Sequence, residues 1–425
     1  MIWHEERLKL SKARAQDALC GLPGACQFRD EEKLYLGAFP SAFHRGLLPP
    51  GHEGCPSQLS TQQQKWSHWP SWVGVLPYEH FRELERGYHP SADKRPLPHL
   101  SEPLWQRYDA LAQQLARDEF LVGGLSLAAV ERLVRALSRA TSGSRRQAAR
   151  VSLGAPLEPE AVHRARVRGA LDEIAQGRLY QVNLARRLDF SVQGDAFSLL
   201  EALDETTQAP YAAVLTIGDR IVVSTSPELF LSVEPEGLVR TRPIKGTRPR
   251  DADPTLDRQL AAELAESEKE KAELAMVIDI ERNDLGRLAI PGTVRLARAP
   301  HVVAYPTIFH REAEVEARLR PKVTFSELLL HTMPSGSITG APKESAMRLI
   351  ARLEKYRRGL YTGALGYFSC SGHLRLSMAI RVLTVVGGQG HYFSGGGIVS
   401  DSDPQAEVEE TDWKAAQVRH LLSAR

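Results

Sequence analysis

The sequence predicts an α+β fold, in which runs of strands are set apart from runs of helices. Between residues 363 and 398, apolar stretches separated by short glycine turns predict several antiparallel strands in succession. Helical spacing extends from Glu160 to Gly177, from Glu263 to Arg282 and from about Pro404 to Leu422. This segregation is typical of α+β proteins rather than of alternating βαβ units.

The first 150 residues form a mixed region with little periodic pattern, although they contain five of the six tryptophans. Residues 72–76 are a candidate strand. The stretch from Gly51 to Gln64 is rich in Gly, Pro, Ser and Gln, which predicts a loop or disorder. The segment Ser142–Arg146 is the best candidate for a linker. We therefore divide the chain into residues 1–150 and 151–425.

The pattern is clearer after this boundary. Residues 180–184 alternate as a strand does, and residues 212–217 and 220–224 flank Gly218-Asp219 as in a hairpin. A further helix is predicted from Glu344 to Lys355.

Charge and composition exclude several classes of protein. The chain of 425 residues has 54 Lys and Arg against 52 Asp and Glu. This balance gives no support for a protein that coats nucleic acid or a membrane surface. The four cysteines form no CxxC motif, which predicts free thiols in a reducing compartment. With no apolar leader and no apolar run of 18 residues, we expect a cytoplasmic protein without membrane spans.

Two pairs of glutamates, each spaced three residues apart, lie on predicted helices. Glu270 and Glu273 share one helix face, and Glu407 and Glu410 share a face of another. Four carboxylates brought together would need a cation, and oxygen ligands favour Mg²⁺ or Ca²⁺. Lys414 follows Glu410 by one turn and could meet an anionic ligand. The alternative is a pair of solvated helices with ordinary Glu/Lys pairs.

A basic segment, Arg240–Arg250, contains five cationic side chains and two prolines, and we interpret it as a stiffened loop. A lysine crowded by arginines has its protonated form destabilised, which would free Lys245 as a nucleophile. The segment could equally bind a carboxylate or a phosphate, or be a solvated basic turn.

Two small-residue segments and one histidine are weaker candidates. Pro334–Lys343 predicts a loop that leads into a helix, and amides exposed at a helix start favour anions. Gly395–Gly397 follows a predicted strand and permits close approach of a ligand or of another strand. His310 taken alone is typical of a structural or surface histidine. The sequence contains no HExxH or GxSxG motif and no zinc-site spacing.

Taken together and in this order, the segments resemble the chorismate-utilising enzymes. That family comprises the large subunits of anthranilate synthase and aminodeoxychorismate synthase, the isochorismate synthases and the salicylate synthases. The resemblance covers roughly residues 160 to 420. It rests on residues 180–184, 226–228, 242–247, 272–287, 336–343, 380–383 and 395–411.

This resemblance implies a fold of two large antiparallel β-sheets packed face to face, with helices outside and the site in a deep cleft. Residues 1–150 would be loosely family-like and contribute to the same sandwich, and residues 151–425 would form the chorismate-binding catalytic domain. The family also implies Mg²⁺ between the substrate's ring carboxylate and the glutamates. Glu273 and Glu410 match the primary metal side, with Glu270 and Glu407 in support.

Further roles follow from the same resemblance. Glu228 matches a general acid that assists departure of the C4 hydroxyl, and a desolvated cleft would favour its protonated form. Tyr361 and Arg381 match a pair that grips the enolpyruvyl carboxylate. The other positions that match substrate-binding residues are Lys414, Gly396, Gly340, Ala341, Gln181 and His310.

Two positions separate the branches of this family. Enzymes that add water at C2 carry a lysine base where this chain has Gln181, and glutamine cannot deprotonate water. Residues 243–247 read Pro-Ile-Lys-Gly-Thr, which resembles the aminodeoxychorismate synthases. Anthranilate synthases typically read Pro-Ile-Ala-Gly-Thr. The resemblance therefore makes Lys245 a nucleophile that attacks C2 of chorismate.

The implied reaction converts chorismate and ammonia into 4-amino-4-deoxychorismate, for 4-aminobenzoate and folate synthesis. The sequence contains no recognisable glutaminase segment, so we expect ammonia from a separate glutamine amidotransferase subunit. The alternatives are an anthranilate synthase large subunit and a non-catalytic chorismate-binding subunit.

Overall fold

The protein is described from a computed structural model that covers residues 3–54, 56, 68–83, 95, 98, 100–139, 146, 149–155, 158–205 and 207–423. Apart from Arg146, the predicted linker lies outside these residues. The predicted loop at residues 51–64 is described only at residues 51–54 and 56.

Strands dominate the described part of the chain. In chain order they are β1 His4–Lys9, β2 Cys26–Asp30, β3 Lys33–Gly37, β4 Ala42–Arg45, β5 Pro70–Leu76, β6 Leu104–Arg107, β7 Ala110–Ala116, β8 Glu119–Gly124, β9 Arg150–Ala155, β10 Gln181–Gln193, β11 Tyr211–Ile217, β12 Arg220–Ser226, β13 Leu229–Val233, β14 Leu238–Arg242, β15 Ile244–Pro249, β16 Arg295–Ala304, β17 Ile308–Arg318, β18 Gly340–Ala341, β19 Ala364–Ser369, β20 Leu374–Met378, β21 Val382–Val386 and β22 Gln389–Ile398.

The helices are α1 Lys12–Leu19, α2 Tyr78–Glu83, α3 Leu127–Ser138, α4 Glu160–Ala175, α5 Ala196–Asp204, α6 Pro254–Glu266, α7 Glu268–Gly286, α8 Phe325–Thr332, α9 Gly336–Thr339, α10 Lys343–Leu353 and α11 Pro404–Ser423. Within the described residues, none of these helices combines the length and the apolar character that a membrane crossing requires.

The strands form two large sheets, which confirms the predicted fold. The twelve-stranded sheet has the order β1-β8-β7-β3-β2-β11-β12-β21-β22-β10-β18, with β9 beside β10. The ten-stranded sheet has the order β15-β17-β14-β13-β20-β19-β5-β6-β4, with β16 beside β17. Adjacent strands pair in the antiparallel sense, as in β10 with β22 and β19 with β20. Strands from the first 150 residues lie in both sheets.

Apolar side chains join the two sheets face to face. Phe28 and Leu215 from the twelve-stranded sheet share one buried cluster with Val75 and Leu365 from the ten-stranded sheet. Helices cover the outer faces. The outer face of the larger sheet packs on α1, α3, α5 and α11, and that of the smaller sheet packs on α7 and α8. The helices therefore lie outside the sandwich, as expected.

Three predicted elements differ in detail from the structure. The helix predicted from Glu263 to Arg282 is broken at Ser267, whose hydroxyl accepts from the amide of Glu270 and begins α7. The basic segment is not a loop but the strands β14 and β15, both paired with β17. Gly395–Gly397 lies inside β22 rather than after a strand.

The predicted meander is also two separate hairpins. The β19–β20 hairpin belongs to the ten-stranded sheet, and β21–β22 belongs to the twelve-stranded sheet. The segment predicted as a loop at residues 334–343 contains the short helix α9 and strand β18 before α10 begins at Lys343. By contrast, α4, α11 and the β11–β12 hairpin lie where the sequence predicts them.

Candidate active site

The candidate site lies where the chain crosses twice between the two sheets. Glu228 follows β12 of the larger sheet and precedes β13 of the smaller one, and Arg381 lies between β20 and β21. The two crossovers are hydrogen-bonded to each other. The amide of Thr225 donates to the Arg381 carbonyl at 3.1 Å, and the amide of Met378 donates to the Glu228 carbonyl at 3.0 Å. Both functional side chains therefore start from a fixed backbone.

A cavity of about 450 Å³ opens at this junction. Residues from β15, β17, β22, α7, α9 and α11 line it. The cavity brings together nine of the predicted site residues: Glu228, Lys245, Glu270, Glu273, His310, Tyr361, Arg381, Glu410 and Lys414.

Glu228 is a buried acid at the floor of the cavity. Its side chain is almost fully excluded from solvent, and one oxygen accepts a hydrogen bond from the Ser337 hydroxyl at 3.3 Å. Burial raises the pKa of Glu228 to about 8, and the positive charge of Lys245 only partly opposes this shift. A carboxyl group in this environment holds a proton at neutral pH, which is what a general acid requires.

Lys245 reaches the same cavity from β15. Its ammonium group donates to the Ser337 carbonyl at 3.4 Å. The arginines that flank Lys245 in the basic segment pair with carboxylates on other elements, whereas Arg248 and Arg381 line the cavity together with Lys245. Arg242 contacts Glu314 and Glu31, and Arg250 contacts Asp257. Lys245 shares the cavity with the buried acid Glu228.

One side of the cavity is formed by the first turns of α7. Glu270 lies close to β15 because Gly246 has no side chain; a Cβ there would stand 2.9 Å from the Glu270 carboxyl carbon. The φ of +75° at Gly246 also favours glycine. Burial, followed by the charge of Glu273, raises the pKa of Glu270.

The opposite side is formed by α11. A Cβ on Gly396 would stand 2.9 Å from Glu407 Oε2 and 3.3 Å from Glu410 Oε1, so this glycine makes room for both carboxylates. Lys414 donates to Glu410 and, at 3.0 Å, to the Gly395 carbonyl. Burial opposes ionisation of Glu410, but the charge of Lys414 lowers the net pKa of this carboxyl.

These four glutamates fit a hard cation. Glu407 Oε2 is buried without a hydrogen-bond partner among the described residues, and burial raises the pKa of Glu407 to about 7. A cation at this position would satisfy the unpartnered oxygen and offset the repulsion. No three of the four carboxylates bring oxygens within 4.8 Å of one another. Such an open arrangement suits Mg²⁺, which keeps water or substrate oxygens among its ligands.

The aromatic side chains of Tyr361 and His310 complete the lining of the cavity. Tyr361 stacks on Phe393 with ring centroids 5.2 Å apart. His310 Nδ1 lies 2.9 Å from the Thr247 hydroxyl, whereas Nε2 is buried without a partner among the described residues. Burial and the charge of Arg381 lower the pKa of His310 to about 3. His310 is therefore neutral at physiological pH and has one ring nitrogen available.

Five predicted site residues do not line the cavity: Gln181, Gly340, Ala341, Gly396 and Glu407. Gln181 is fully buried behind β22, where a Cβ on Gly397 would stand 2.4 Å from its Nε2. Gly340 and Ala341 form β18 and pair with β10. Gly396 and Glu407 lie just behind the lining side chains.

Several residues that line the cavity are not among the predicted site residues. Asn183 lies within a segment that carries the resemblance, but it was not assigned a role. Lys269 lines the cavity 3.9 Å from Glu273. Ser337 hydrogen-bonds Glu228, and Trp413 lies half-exposed at the cavity. Lys269 and Trp413 are each adjacent in sequence to a predicted site residue, and Asn183 and Ser337 lie within segments that carry the resemblance.

Comparisons with known proteins identify the family to which this chain is similar. The family model for "chorismate binding enzyme" matches residues 49–420. The chain is 43% identical over 246 residues to aminodeoxychorismate synthase component 1 of Salmonella typhimurium. The aligned region covers 58% of this chain and 54% of that protein. It is 42% identical over 258 residues to anthranilate synthase component 1 of Thermus thermophilus. This alignment covers 61% of this chain and 55% of that protein. The chain thus spans about half the length of the curated relatives it matches.

Solved structures share the fold at lower sequence identity. Anthranilate synthase component I from Streptococcus pneumoniae superimposes with a TM-score of 0.72 at 24% identity, covering 98% of this chain and 92% of that one. MenF, the menaquinone-specific isochorismate synthase from Escherichia coli, gives a TM-score of 0.76 at 17% identity, covering 99% and 95%.

Proposed function

The chain belongs to the family of chorismate binding enzymes, and from this premise we propose that it converts chorismate and ammonia into 4-amino-4-deoxychorismate. The observation that carries the proposal is the position of Lys245, whose amine enters the cavity that also holds the buried acid Glu228. A nucleophile and an acid at one cavity suit a displacement in which a hydroxyl group leaves.

The two groups need a single proton between them. Glu228 has its pKa raised to about 8 by burial. The reactive forms are the neutral amine of Lys245 and the carboxylic acid of Glu228. Burial keeps the acid protonated, so the lysine must release its own proton to solvent before it attacks.

The amine then attacks C2 of chorismate and forms a C–N bond. The two ring double bonds each move by one position, and the C4–O bond breaks. Glu228 gives its proton to the departing hydroxyl, which leaves as water. Ammonia next attacks C4, the double bonds return, and the C2–N bond to Lys245 breaks. The nitrogen is left on C4, and Glu228 is left without its proton.

Substrate recognition is assigned to the cationic and aromatic groups around the cavity. Chorismate carries two carboxylates, and Arg381 and Lys414 offer positive charge at different parts of the lining. Tyr361 is held by stacking on Phe393 and presents a hydroxyl group beside β22. These contacts would fix the ring so that C2 faces Lys245 and the C4 hydroxyl faces Glu228.

Glu270, Glu273, Glu407 and Glu410 would hold Mg²⁺. When bound, the metal would neutralise the ring carboxylate of the substrate and the repulsion among the glutamates. Lys269 and Lys414, which lie beside Glu273 and Glu410, would balance the remaining negative charge.

The source of ammonia is proposed to be a glutamine amidotransferase subunit. Relatives such as that of Salmonella typhimurium carry the designation "component 1", which supports a second component. Pure chain is expected to use ammonium ions but not glutamine, and addition of a matching glutaminase subunit should make glutamine effective.

Product analysis tests the proposed reaction. The chain is incubated with chorismate, Mg²⁺ and ammonium, and aminodeoxychorismate lyase is added to half of the sample. We expect 4-aminobenzoate only in the half with the lyase. Anthranilate and pyruvate in the half without lyase would assign the chain to anthranilate formation instead. No loss of chorismate in either half would support a non-catalytic chorismate-binding subunit.

A further inference from the structure

A line of hydrogen bonds leads from Glu228 away from the cavity into the protein. The Ser337 hydroxyl donates to Glu228 at 3.3 Å, and it lies 2.9 Å from the Ser335 hydroxyl. The Ser335 hydroxyl in turn donates to Glu281 on α7 at 2.8 Å. Two carboxyl groups are thus joined through two serine hydroxyls.

A count of hydrogens shows that this line holds an acidic proton. It contains three oxygen–oxygen contacts, but the two serines supply only two hydroxyl hydrogens. If both carboxyl groups were ionised, each serine would donate to its own carboxylate and the contact between Ser335 and Ser337 would contain no hydrogen. One of the two carboxyl groups must therefore be protonated for all three contacts to be hydrogen bonds.

The position of this proton can change without movement of any heavier atom. With the proton on Glu281, each group donates to the next in the order Glu281, Ser335, Ser337, Glu228. With the proton on Glu228, every hydrogen bond runs in the opposite direction. Both states satisfy the three contacts, so the proton can pass between the two carboxyl groups through the hydroxyls.

Burial confines the negative charge to one end of the line at a time. All four side chains are at most 5% exposed, and two ionised carboxylates in such surroundings would be costly. Burial raises the pKa of Glu228 to about 8, and burial together with the charge of Asp284 raises that of Glu281 to about 7. The similar values fit a proton shared between the two ends.

The far end of the line approaches solvent. Asp284, one helical turn beyond Glu281, accepts from the ammonium group of Lys343 at 2.8 Å, and the Lys343 side chain is 21% exposed. The charged and titratable groups that face the line are Lys245 at Glu228, Asp284 and Lys343 at Glu281, and Arg287 and His331 at Asp284.

We infer that Glu281 is a proton-relay residue that returns a proton to Glu228 through Ser335 and Ser337 in each turnover. The inference rests on the proposed function, in which Glu228 loses one proton per cycle to the departing hydroxyl group. While substrate or product fills the cavity, Glu228 is covered on the side of the reaction. The buried line provides a second route for the proton from the opposite side.

The relay makes different predictions for the first turnover and for the steady state. E281Q keeps the shape of the side chain but cannot release a proton. When the enzyme is pre-equilibrated at a pH where Glu228 is protonated, the first adduct on Lys245 should form at close to the wild-type rate. Steady-state turnover with ammonium should fall by about tenfold. S335A should give the same pattern, since it interrupts the line but leaves both carboxyl groups.

Stopped-flow and steady-state measurements on the full chain distinguish the outcomes. D279N is the matched control, because Asp279 is an exposed residue on the same helix; both of its rates should equal those of the wild type. Unchanged steady-state turnover in E281Q and S335A would overturn the relay, as would an equal fall of both rates in either variant. A wild-type chain that does not consume chorismate would instead contradict the proposed function.

A second inference concerns a separate part of the ten-stranded sheet. His373 Nδ1 lies 2.8 Å from a carboxylate oxygen of Glu234, and the rings of His68 and His373 lie 3.8 Å apart. One ligand atom from each of the three residues lies within 4.8 Å of the other two. The three residues come from separate segments: the end of β13, the β19–β20 turn and the approach to β5.

We propose that His68, Glu234 and His373 bind a transition-metal ion such as Zn²⁺. Two imidazole nitrogens and one carboxylate oxygen are a ligand set that zinc accepts with a fourth position open to water. The site is independent of the four glutamates at the cavity, whose oxygen donors favour Mg²⁺. A metal ion here would tie the β13–β14 and β19–β20 turns to the segment before β5.

Equilibrium dialysis against Zn²⁺, with excess Mg²⁺ to occupy the glutamate site, tests this proposal. The wild type should bind one zinc ion per chain at this site, and H68A and E234Q should bind it at least about tenfold more weakly. H301A is the control, because His301 lies on β16 and its contacts are with Glu312 and the Ala299 carbonyl, not with the three proposed ligands. Zinc binding by H68A and E234Q equal to that of the wild type would overturn the proposal.

Discussion

Replacement of Glu228 by glutamine should stabilise the folded protein, by an amount that grows with pH. Burial raises the pKa of Glu228 from 4.5 to about 8. Between these pH values the folded chain keeps a proton that the unfolded chain has released. The stability that this group contributes is therefore complete below about pH 4.5 and is lost as the pH rises toward 8. Glutamine has no such dependence.

The size of the effect follows from the length of this pH window. Each pH unit between the two pKa values removes about 1.4 kcal/mol of unfolding free energy from the wild type. At pH 7 the wild type should have lost about 3 kcal/mol that E228Q retains. The Ser337 hydroxyl can still donate to the amide oxygen of glutamine, so the variant keeps the hydrogen bond that Glu228 makes.

Urea unfolding measured from about pH 5 to about pH 9, without metal or substrate, gives both stabilities. The quantity of interest is the difference in unfolding free energy between E228Q and the wild type. It should rise with pH up to about 8 and then become constant. Because Glu281 is coupled to Glu228 through Ser335 and Ser337, the same difference is also measured in an E281Q background, where Glu281 no longer titrates. A difference that does not depend on pH would refute the assignment of Glu228 as a buried acid held in its protonated form.

Three further substitutions test the geometry of the site. G396A should weaken Mg²⁺-dependent activity about tenfold or more, because its Cβ would displace Glu407 and Glu410. G286A is the control, because a Cβ at Gly286 would meet open space. Equal Mg²⁺ titrations for the two variants would contradict the role of Gly396 in making room for the carboxylates. E410Q should shift the Mg²⁺ titration to higher concentration by removing one negative charge, whereas E409Q, an exposed residue on the same helix, should not; matching titrations would exclude Glu410 as a ligand. G246A should lower both the melting temperature and the Mg²⁺ affinity, because φ at this position is +75° and a Cβ would meet α6 and Glu270. If neither quantity changed, the close approach of Glu270 to β15 at Gly246 would not be required.

The sequence contained enough information for the fold class and for nine of the residues that line the cavity. The spacing of Glu270 with Glu273 and of Glu407 with Glu410 predicts helix faces, and both pairs lie on helices that flank the site. Periodicity is a local property, so it identifies these faces well. It does not predict that Glu407 is turned behind Gly396 while Glu410 lines the cavity, since that depends on how α11 packs on β22.

Long-range partners account for the predictions that were wrong. The arginines around Lys245 predict a loop with a high density of positive charge. Their charges are balanced by Glu314 on β17 and Glu31 at the end of β2, which are distant in sequence, and by Asp257 on α6, which lies seven residues beyond Arg250. The break between α6 and α7 has a local cause instead, since it depends on the hydroxyl of the N-cap Ser267 and is marked by no glycine or proline.

The positions at which the chain crosses between the two sheets could not be predicted from the local sequence pattern either. Residues 363–398 alternate in the same way in both hairpins, so the pattern does not indicate that the chain changes sheets between Met378 and Val382. That change of sheet places Arg381 at the cavity with a φ of +50°. The hydrogen-bonded line from Glu281 to Glu228 could not be predicted either, because its members come from three segments that meet only in the folded protein.

The most direct test of the account is the mass of the protein after mixing with chorismate and Mg²⁺ in the absence of ammonia. Without ammonia the second displacement cannot occur, so the adduct should accumulate. We predict a mass increase equal to chorismate less one water, located on Lys245 by peptide mapping, absent in K245A and discharged when ammonium is added. Consumption of chorismate by the wild type in the presence of ammonium, with no adduct or with an adduct on another residue, would contradict the assignment of Lys245 as the nucleophile.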